Sequence, residues 1–159
     1  MRMCLWNSGG IKRRGLWTEI EALCKTNNLS ILALVETKDN TAPQHNCWIK
    51  TGFDASICAP AEGRSGGLLI LWKTNHFINE TFTHKLTSKR FVAFDYENVT
   101  TTFSICIIFA YAPAQQRDKE AFWSEITDFI KCCNKPCIIM GDLNESKTIQ
   151  KKAKESSHP

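Results

Sequence analysis

Two regions of the chain repeat one order of apolar and polar stretches: a short apolar run, an amphipathic run, a second apolar run and an acid. In the first region, residues 2–6 are mostly apolar and stop at a polar, glycine-containing turn. Apolar residues then recur at helical spacing, namely Leu16, Ile20, Leu23 and Cys24. Ile31–Val35 is apolar without alternation, as in a strand covered on both faces, and leads to Glu36. The region predicts a strand, a surface helix and a buried strand.

The start of the first helix is marked by a possible capping box. Thr18 and Glu21 stand three residues apart, with Trp17 just ahead of them. We therefore expect the helix to begin at this box and to end at Asn27 and Asn28, which follow the last apolar position.

The second region lies late in the chain and has the same order. Residues 118–133 predict a helix that ends before Pro136. Its apolar face carries Phe122, Ile126, Phe129, Ile130 and Cys133. Residues 137–140 form another apolar run, predicted to be a buried strand, which leads to Gly141 and Asp142. Because the two regions share no evident sequence identity, they repeat an architecture and not a sequence.

Residues 53–109, between the two regions, have a different character. Short segments alternate apolar and polar positions, as at Ile78, Phe82 and Leu86, and turn-forming residues separate them. The strongest apolar runs are residues 68–72, 91–94 and 103–109. This pattern predicts an antiparallel meander.

Length and composition predict one soluble domain. A chain of 159 residues with 43% hydrophobic content can bury a core of its own. We expect residues 1–145 to form this domain and the polar residues 146–159 to be a disordered tail or a fraying helix. Neither a membrane-spanning run nor a signal peptide is recognisable, so we expect an intracellular protein. Most of the net charge of +4 comes from lysines of the tail, so charge does not identify a partner.

The eight cysteines do not match a known framework. Four of them lie inside apolar runs and are expected to be small core residues: Cys4, Cys24, Cys106 and Cys137. No Cys-x-x-Cys occurs, and the pairs closest to metal spacing are His45-x-Cys47 and Cys133-x-x-x-Cys137. The spacing therefore favours free thiols in a reducing compartment over disulfides or structural zinc.

Polar residues that could bind a metal or take part in catalysis lie at or just after the ends of several predicted strands. They are Asn7, Glu36, Tyr111, Asp142 and Asn144. Asp142 and Asn144 are two apart, so in an extended stretch their side chains point the same way. If the strands are neighbours, all five groups converge, and their oxygen atoms suit Mg²⁺ and metal-assisted phosphoester hydrolysis. Taken singly, each has a structural alternative, such as a turn residue, a solvated loop charge or a core aromatic.

The glycine-rich residues 63–67 are a weaker candidate for phosphate binding. They lack the Gly-Lys-Ser/Thr ending of a nucleotide-binding loop, and an apolar strand follows them instead of a helix. A tight connection before a core strand is the favoured interpretation.

Five short blocks, in order, carry a resemblance to a known family. The blocks are Leu5-Trp6-Asn7, Leu34-Val35-Glu36-Thr37-Lys38, Gly63-Arg64-Ser65-Gly66-Gly67-Leu68 with Leu71-Trp72, Ala110-Tyr111-Ala112-Pro113, and Met140-Gly141-Asp142-Leu143-Asn144-Glu145. Together they resemble the endonuclease/exonuclease/phosphatase superfamily. More narrowly, they resemble the endonuclease domain of plant non-LTR (LINE-type) retrotransposons.

The resemblance implies an α/β fold, a four-layer sandwich of two mixed β-sheets face to face with helices outside. It implies that Glu36 is a ligand of Mg²⁺ or Mn²⁺, with the amide of Asn7 beside it. It implies that Tyr111 contacts phosphate, that Asp142 aligns or activates water and that Asn144 supports the phosphate. The reaction implied is nicking of DNA in the nucleus, which leaves a 3′-hydroxyl that primes reverse transcription. No small-molecule cofactor is expected.

Two departures from the family pattern shape the expectation. The first is Gly9, which stands where repair-type members carry an acid. The second concerns the end of the family pattern, since no aspartate follows Asp142. The family's last third, with a late Asp-His pair, is not recognisable, and His158 in the polar tail is not assigned that role. We therefore expect an incomplete, C-terminally truncated sandwich with impaired or lost activity. The alternatives are a phosphatase or lipid phosphodiesterase of the same superfamily, or a non-catalytic fragment that binds nucleic acid or a protein at an exposed sheet edge.

Overall fold

The computed structural model describes residues 1–40, 48–63 and 65–145. Its strands are β1 (Met3–Asn7), β2 (Ile31–Val35), β3 (Ala55–Ala59), β4 (Leu68–Trp72), β5 (Glu80–Thr87), β6 (Phe91–Asn98), β7 (Phe103–Tyr111) and β8 (Cys137–Asp142). The two α-helices are α1 (Leu16–Asn27) and α2 (Gln116–Lys131), and two short 3₁₀ turns span Ile49–Thr51 and Thr74–His76.

The strands form two four-stranded sheets with the orders β1-β2-β4-β3 and β5-β6-β7-β8. The β1–β2 and β7–β8 pairs are parallel, and each is connected through a helix, as a parallel pair requires. This confirms both predicted strand-helix-strand units. The meander over residues 53–109 is antiparallel within each sheet, but it is divided: β3 and β4 belong to the first sheet and β5 to β7 to the second. Alternation alone does not reveal which sheet a strand joins.

The fold is α/β with four layers, as expected. The inner faces of the sheets pack against each other through residues that alternate along the strands, including Ile31, Ala33, Val35, Ile70, Val92, Phe94, Ile107 and Phe109. The outer face of the first sheet is covered by α1 through Leu16, Ile20 and Cys24. The outer face of the second is covered by α2 through Phe122 and Ile126. All five residues of β2 are buried, which explains why its sequence does not alternate.

The predicted start of α1 is wrong by two residues. The helix begins at Leu16, its N-cap is Gly15 with a left-handed φ of 83°, and no side chain caps it. Leu16 is fully buried, and Glu19 in the first turn pairs with Arg13 at 2.6 Å. Burial and this ion pair therefore fix the start, while Glu21 pairs instead with Lys25 at 2.8 Å.

The second strand-helix-strand unit also differs in detail from its prediction. Strand β8 was expected to be buried, but its residues are mostly half-exposed and Ile138 is 47% exposed. The reason is its place at the edge of the sheet, where β7 is its one strand partner among the described residues. Helix α2 begins two residues earlier than predicted, at Gln116.

None of the helices in the described part of the chain is long and apolar enough to cross a membrane. The predicted tail, residues 146–159, lies outside the described residues.

Candidate active site

Four strand ends bring the predicted polar residues to one edge of the sandwich. Asn7 ends β1 and is in register with Val35 of β2, and Tyr111 ends β7 in register with Asp142 of β8. The two sheets meet here, because Asn7 Nδ2 donates a hydrogen bond to Asp142 Oδ2 at 3.1 Å. Glu36 follows β2 directly. The carboxyl ends of the parallel strand pairs thus share one location, as is common for sites of α/β proteins.

The turn after β1 orients the amide of Asn7. Its Oδ1 accepts a hydrogen bond from the Gly9 backbone N–H at 3.0 Å, so the amide nitrogen is directed towards Asp142. The next residue, Ser8, is buried, and its hydroxyl lies 3.1 Å from the carbonyl oxygens of both Val35 and Glu36. The turn that carries Asn7 is therefore fixed to the end of β2.

Glu36 sits in a left-handed conformation, with φ of 56°, where the chain leaves β2. Its Oε1 is 2.9 Å from Lys38 Nζ, and its side chain is 25% exposed. The pKa of the Glu36 carboxyl lies below its ordinary value, because hydrogen bonds from Lys38 and then from Asn7 favour the charged form. Asn7 thus interacts with both acids of the site.

The glycine-rich segment supports the loop that carries Glu36. Backbone N–H groups of Thr37 and Lys38 donate to the carbonyl oxygens of Gly67 and Gly66 at 3.3 and 3.0 Å. A Cβ on Gly67 would lie 2.1 Å from Thr37 Oγ1, and its φ of +87° also disfavours other residues. The close approach of the two loops therefore requires glycine.

Tyr111 lies beneath this loop and is 8% exposed. Burial, and then the negative charge of Glu36, raise the pKa of its hydroxyl, and a hydrogen bond with Asn144 opposes the rise. The phenol therefore keeps its proton at neutral pH and can donate a hydrogen bond to an anion.

Asp142 and Asn144 are joined by a turn and not by an extended strand. Strand β8 ends at Asp142, and Asn144 has a left-handed φ of 49°, so the expectation that both side chains point the same way along a strand is wrong. They meet because the Asn144 backbone N–H donates to Asp142 Oδ1 at 3.1 Å. The Asn144 amide donates to the Ala112 carbonyl oxygen at 2.7 Å. Both residues line an open depression of about 670 Å³.

Sequence reasoning missed three cationic residues at this edge. Lys38 pairs with Glu36, as described above. Arg90 lines a cavity of about 240 Å³ with Tyr111, and its place there depends on the β6–β7 register, which the sequence does not reveal. Lys119 of α2 is almost fully buried, and its Nζ lies 2.5 Å from the Asn144 carbonyl oxygen. Its helical spacing to Phe122 and Ile126 was a usable signal, since a lysine on an apolar face needs a partner.

The donor set could hold a hard divalent cation. Glu36 and Asp142 offer carboxylate oxygens, a ligand type that Mg²⁺ and Mn²⁺ take in proteins, and the amide of Asn7 lies beside both acids. The ammonium group of Lys38 already lies 2.9 Å from Glu36, which shows that the position accommodates positive charge. Tyr111 and Arg90 add donors suited to phosphate oxygens.

Solved structures of similar fold include two endonucleases and a phosphatase. The endonuclease domain of TRAS1, a telomere-specific non-LTR retrotransposon, has a TM-score of 0.62 at 16% identity, over 92% of this chain and 60% of that one. An AP endonuclease from Archaeoglobus fulgidus has a TM-score of 0.63 at 17% identity, over 91% and 58%. A 3′ phosphatase from Neisseria, bound to a product DNA hairpin, has a TM-score of 0.62 at 17% identity, over 91% and 58%.

The chain therefore spans about three fifths of the length of these structures. None of the curated protein sequences compared with it matches. The family model described as "Endonuclease/Exonuclease/phosphatase family" matches residues 4–149. With this match over most of its length and the four-layer α/β fold, the chain belongs to the endonuclease/exonuclease/phosphatase family.

Proposed function

We propose that the chain hydrolyses phosphodiester bonds of DNA with the help of Mg²⁺ or Mn²⁺, as an endonuclease of the retrotransposon type. The observation that carries the proposal is the hydrogen bond between Asn7 and Asp142, which unites the two sheets and places Glu36 and Tyr111 beside them. Family membership supports hydrolysis of phosphate esters in general.

Each residue of the site has a role that its contacts support. Glu36, with the amide of Asn7 beside it, would hold the cation, which when bound neutralises phosphate charge. Each oxygen of the Asp142 carboxylate accepts one hydrogen bond, from Asn7 or from the Asn144 backbone, and retains capacity to orient a water molecule or to accept its proton. Tyr111 keeps its proton and donates to a phosphate oxygen. Asn144 positions Tyr111, since its amide is itself fixed by the Ala112 carbonyl group.

The more specific claims of the proposal are that the substrate is DNA and that the enzyme is of the retrotransposon type. The three similar structures are named as a retrotransposon endonuclease domain, an AP endonuclease and a 3′ phosphatase with product DNA. Among these classes, the five sequence blocks favour the first. Such an enzyme would act in the nucleus and leave a 3′-hydroxyl at the nick.

A nicking assay tests the proposal directly. Supercoiled plasmid is incubated with Mg²⁺ and either the unaltered chain, Glu36→Gln, Asp142→Asn or the control Asp128→Asn, which removes the charge of an exposed acid on α2. We expect slow nicking by the unaltered chain and the control, in keeping with impaired activity, and a further loss on the order of 10²-fold to 10³-fold in the other two. Equal background in all four samples would contradict catalysis by this chain, and plasmid binding without nicking would favour a nucleic-acid-binding fragment.

Removal of a terminal phosphate is the second candidate function. It is favoured by the cavity that Arg90 and Tyr111 line, whose volume of about 240 Å³ is large enough for a phosphate group. Release of inorganic phosphate from a 3′-phosphorylated oligonucleotide, without plasmid nicking, would select this function.

A further inference from the structure

Three thiols of the second sheet form a cluster that the proposed function does not use. Cys106 lies in β7, Cys133 follows α2, and Cys137 begins β8. Their sulfur atoms all lie within 4.8 Å of one another. The cluster is about five residues along β8 from Asp142 and so lies away from the candidate active site.

The backbone fixes all three thiols independently of a ligand. Cys106 and Cys137 are register partners of the parallel β7–β8 pair, and the Cys106 N–H donates to the Pro136 carbonyl oxygen at 2.8 Å. Cys133 is held to the end of α2, since its N–H donates to the Ile130 carbonyl oxygen at 2.9 Å. A short loop thus closes over Cys106 and presents the other two thiols to it.

The spacing of the sulfur atoms fits a tetrahedral cation. A Zn–S bond of about 2.3 Å requires sulfur atoms about 3.8 Å apart, so separations of up to 4.8 Å need only a small closure. Cys106 is buried, whereas Cys133 and Cys137 are half-exposed, which leaves a route from solvent and room for water as a fourth ligand.

Two lysines and two acids form ion pairs beside the cluster. Asp95 is the register partner of Cys106 on β6, and it lies 3.4 Å from Lys85 Nζ and 3.2 Å from Lys135 Nζ. Lys135 Nζ also lies 3.0 Å from Glu97 Oε1, so the two lysines and these two acids carry no net charge beside the cluster.

We propose that Cys106, Cys133 and Cys137 bind one Zn²⁺ ion, which ties the end of α2 and the start of β8 to β7. Soft thiolate ligands select Zn²⁺ over hard cations such as Mg²⁺, so this site is chemically distinct from the one at Glu36. Spacing along the chain reveals the Cys133 and Cys137 pair but not Cys106, which comes from another strand.

Cadmium titration of the full chain tests the site without reference to nuclease activity. The chain is reduced and freed of metal, Cd²⁺ alone is added, and sulfur-to-cadmium charge-transfer absorption is followed. Cys133→Ala and Cys137→Ala remove ligands at half-exposed positions, and Cys132→Ala is the matched control, since this thiol is exposed and adjacent to Cys133.

We expect one equivalent of Cd²⁺ to bind to the unaltered chain and to the control, and the charge-transfer band to be lost in both ligand variants. Zn²⁺ should compete with Cd²⁺ for the site and raise the melting temperature of the same two proteins. Failure of the unaltered chain to bind the cation, or equal binding by Cys133→Ala, would overturn the proposal. Formation of a Cys133–Cys137 disulfide without metal uptake by the reduced chain would do the same.

Discussion

At the scale of single residues, the loop that carries Glu36 packs so closely on Gly67 that no space remains for a side chain there. Gly67 lies against the loop that carries Glu36, and a Cβ there would meet Thr37 Oγ1 at 2.1 Å and the Ala61 backbone nitrogen at 3.1 Å. Gly63, by contrast, has a similar left-handed φ of +65°, but a Cβ at that position would meet nothing within 4 Å. A comparison of substitutions at these two glycines therefore distinguishes the effect of steric crowding from that of backbone strain.

Gly67→Ala should lower the free energy of unfolding by about 1–3 kcal/mol more than Gly63→Ala, because both alter a left-handed residue but only the first overpacks a buried contact. Urea unfolding of the two variants, with unchanged slopes, measures the difference. Equal losses would show that the loop adjusts without strain and that the steric argument is wrong.

The sequence predicts which residues belong to the candidate site, but it does not predict which of them contact each other. Asn7, Glu36, Tyr111 and Asp142 follow apolar runs, and the ends of such runs can be located from hydrophobicity alone. Arg90 could not, because it reaches Tyr111 through the pairing of β6 with β7. The same limit applies to the thiol cluster, whose members meet through register.

At the scale of elements, α2 supports β8 both by apolar packing and through one buried charge. The side chain of Lys119 is 6% exposed, and its ammonium group contacts the Asn144 carbonyl oxygen and Glu145 Oε1, at 2.5 and 3.1 Å. The turn after Asp142 is therefore fixed from the helix. Periodicity predicted α2 and β8. The predicted helix starts were two residues late, at the Thr18 box for α1 and at Asp118 for α2, because Gly15 and Gln115 provide no side-chain cap.

Lys119→Met should lower the free energy of unfolding by about 1–3 kcal/mol, because the methionine retains the apolar stem but leaves a part-buried carbonyl oxygen without its donor. Lys131→Met is the matched control on the same helix, where the side chain is 72% exposed, and should have almost no effect. Urea midpoints measure both. A Lys119→Met variant as stable as the control would mean that water replaces the ammonium group.

At the scale of the whole molecule, an aromatic cluster joins the facing sheets. Phe94 of β6 is fully buried, its ring stacks on Phe82 at 4.2 Å, and it meets Trp72 of the other sheet at 5.4 Å. Hydrophobic alternation identified these positions as apolar, but which residues face each other across the layers follows only from sheet packing.

Phe94→Ala should lower the free energy of unfolding by about 3–5 kcal/mol, since it opens a cavity between the sheets. Phe103→Ala, where the ring is 52% exposed, is the control and should cost far less. Thermal unfolding followed by circular dichroism compares the two. Similar melting temperatures would show that the interface between the sheets collapses around the missing ring.

The bond between Asn7 and Asp142 has a further consequence for the order of events during biosynthesis. Its two partners are 135 residues apart in sequence, and at about 5–20 residues per second a ribosome separates their synthesis by on the order of ten seconds. During that interval the nascent chain carries Asn7 and Glu36 without Asp142. A candidate site divided in this way is assembled only when the second sheet docks.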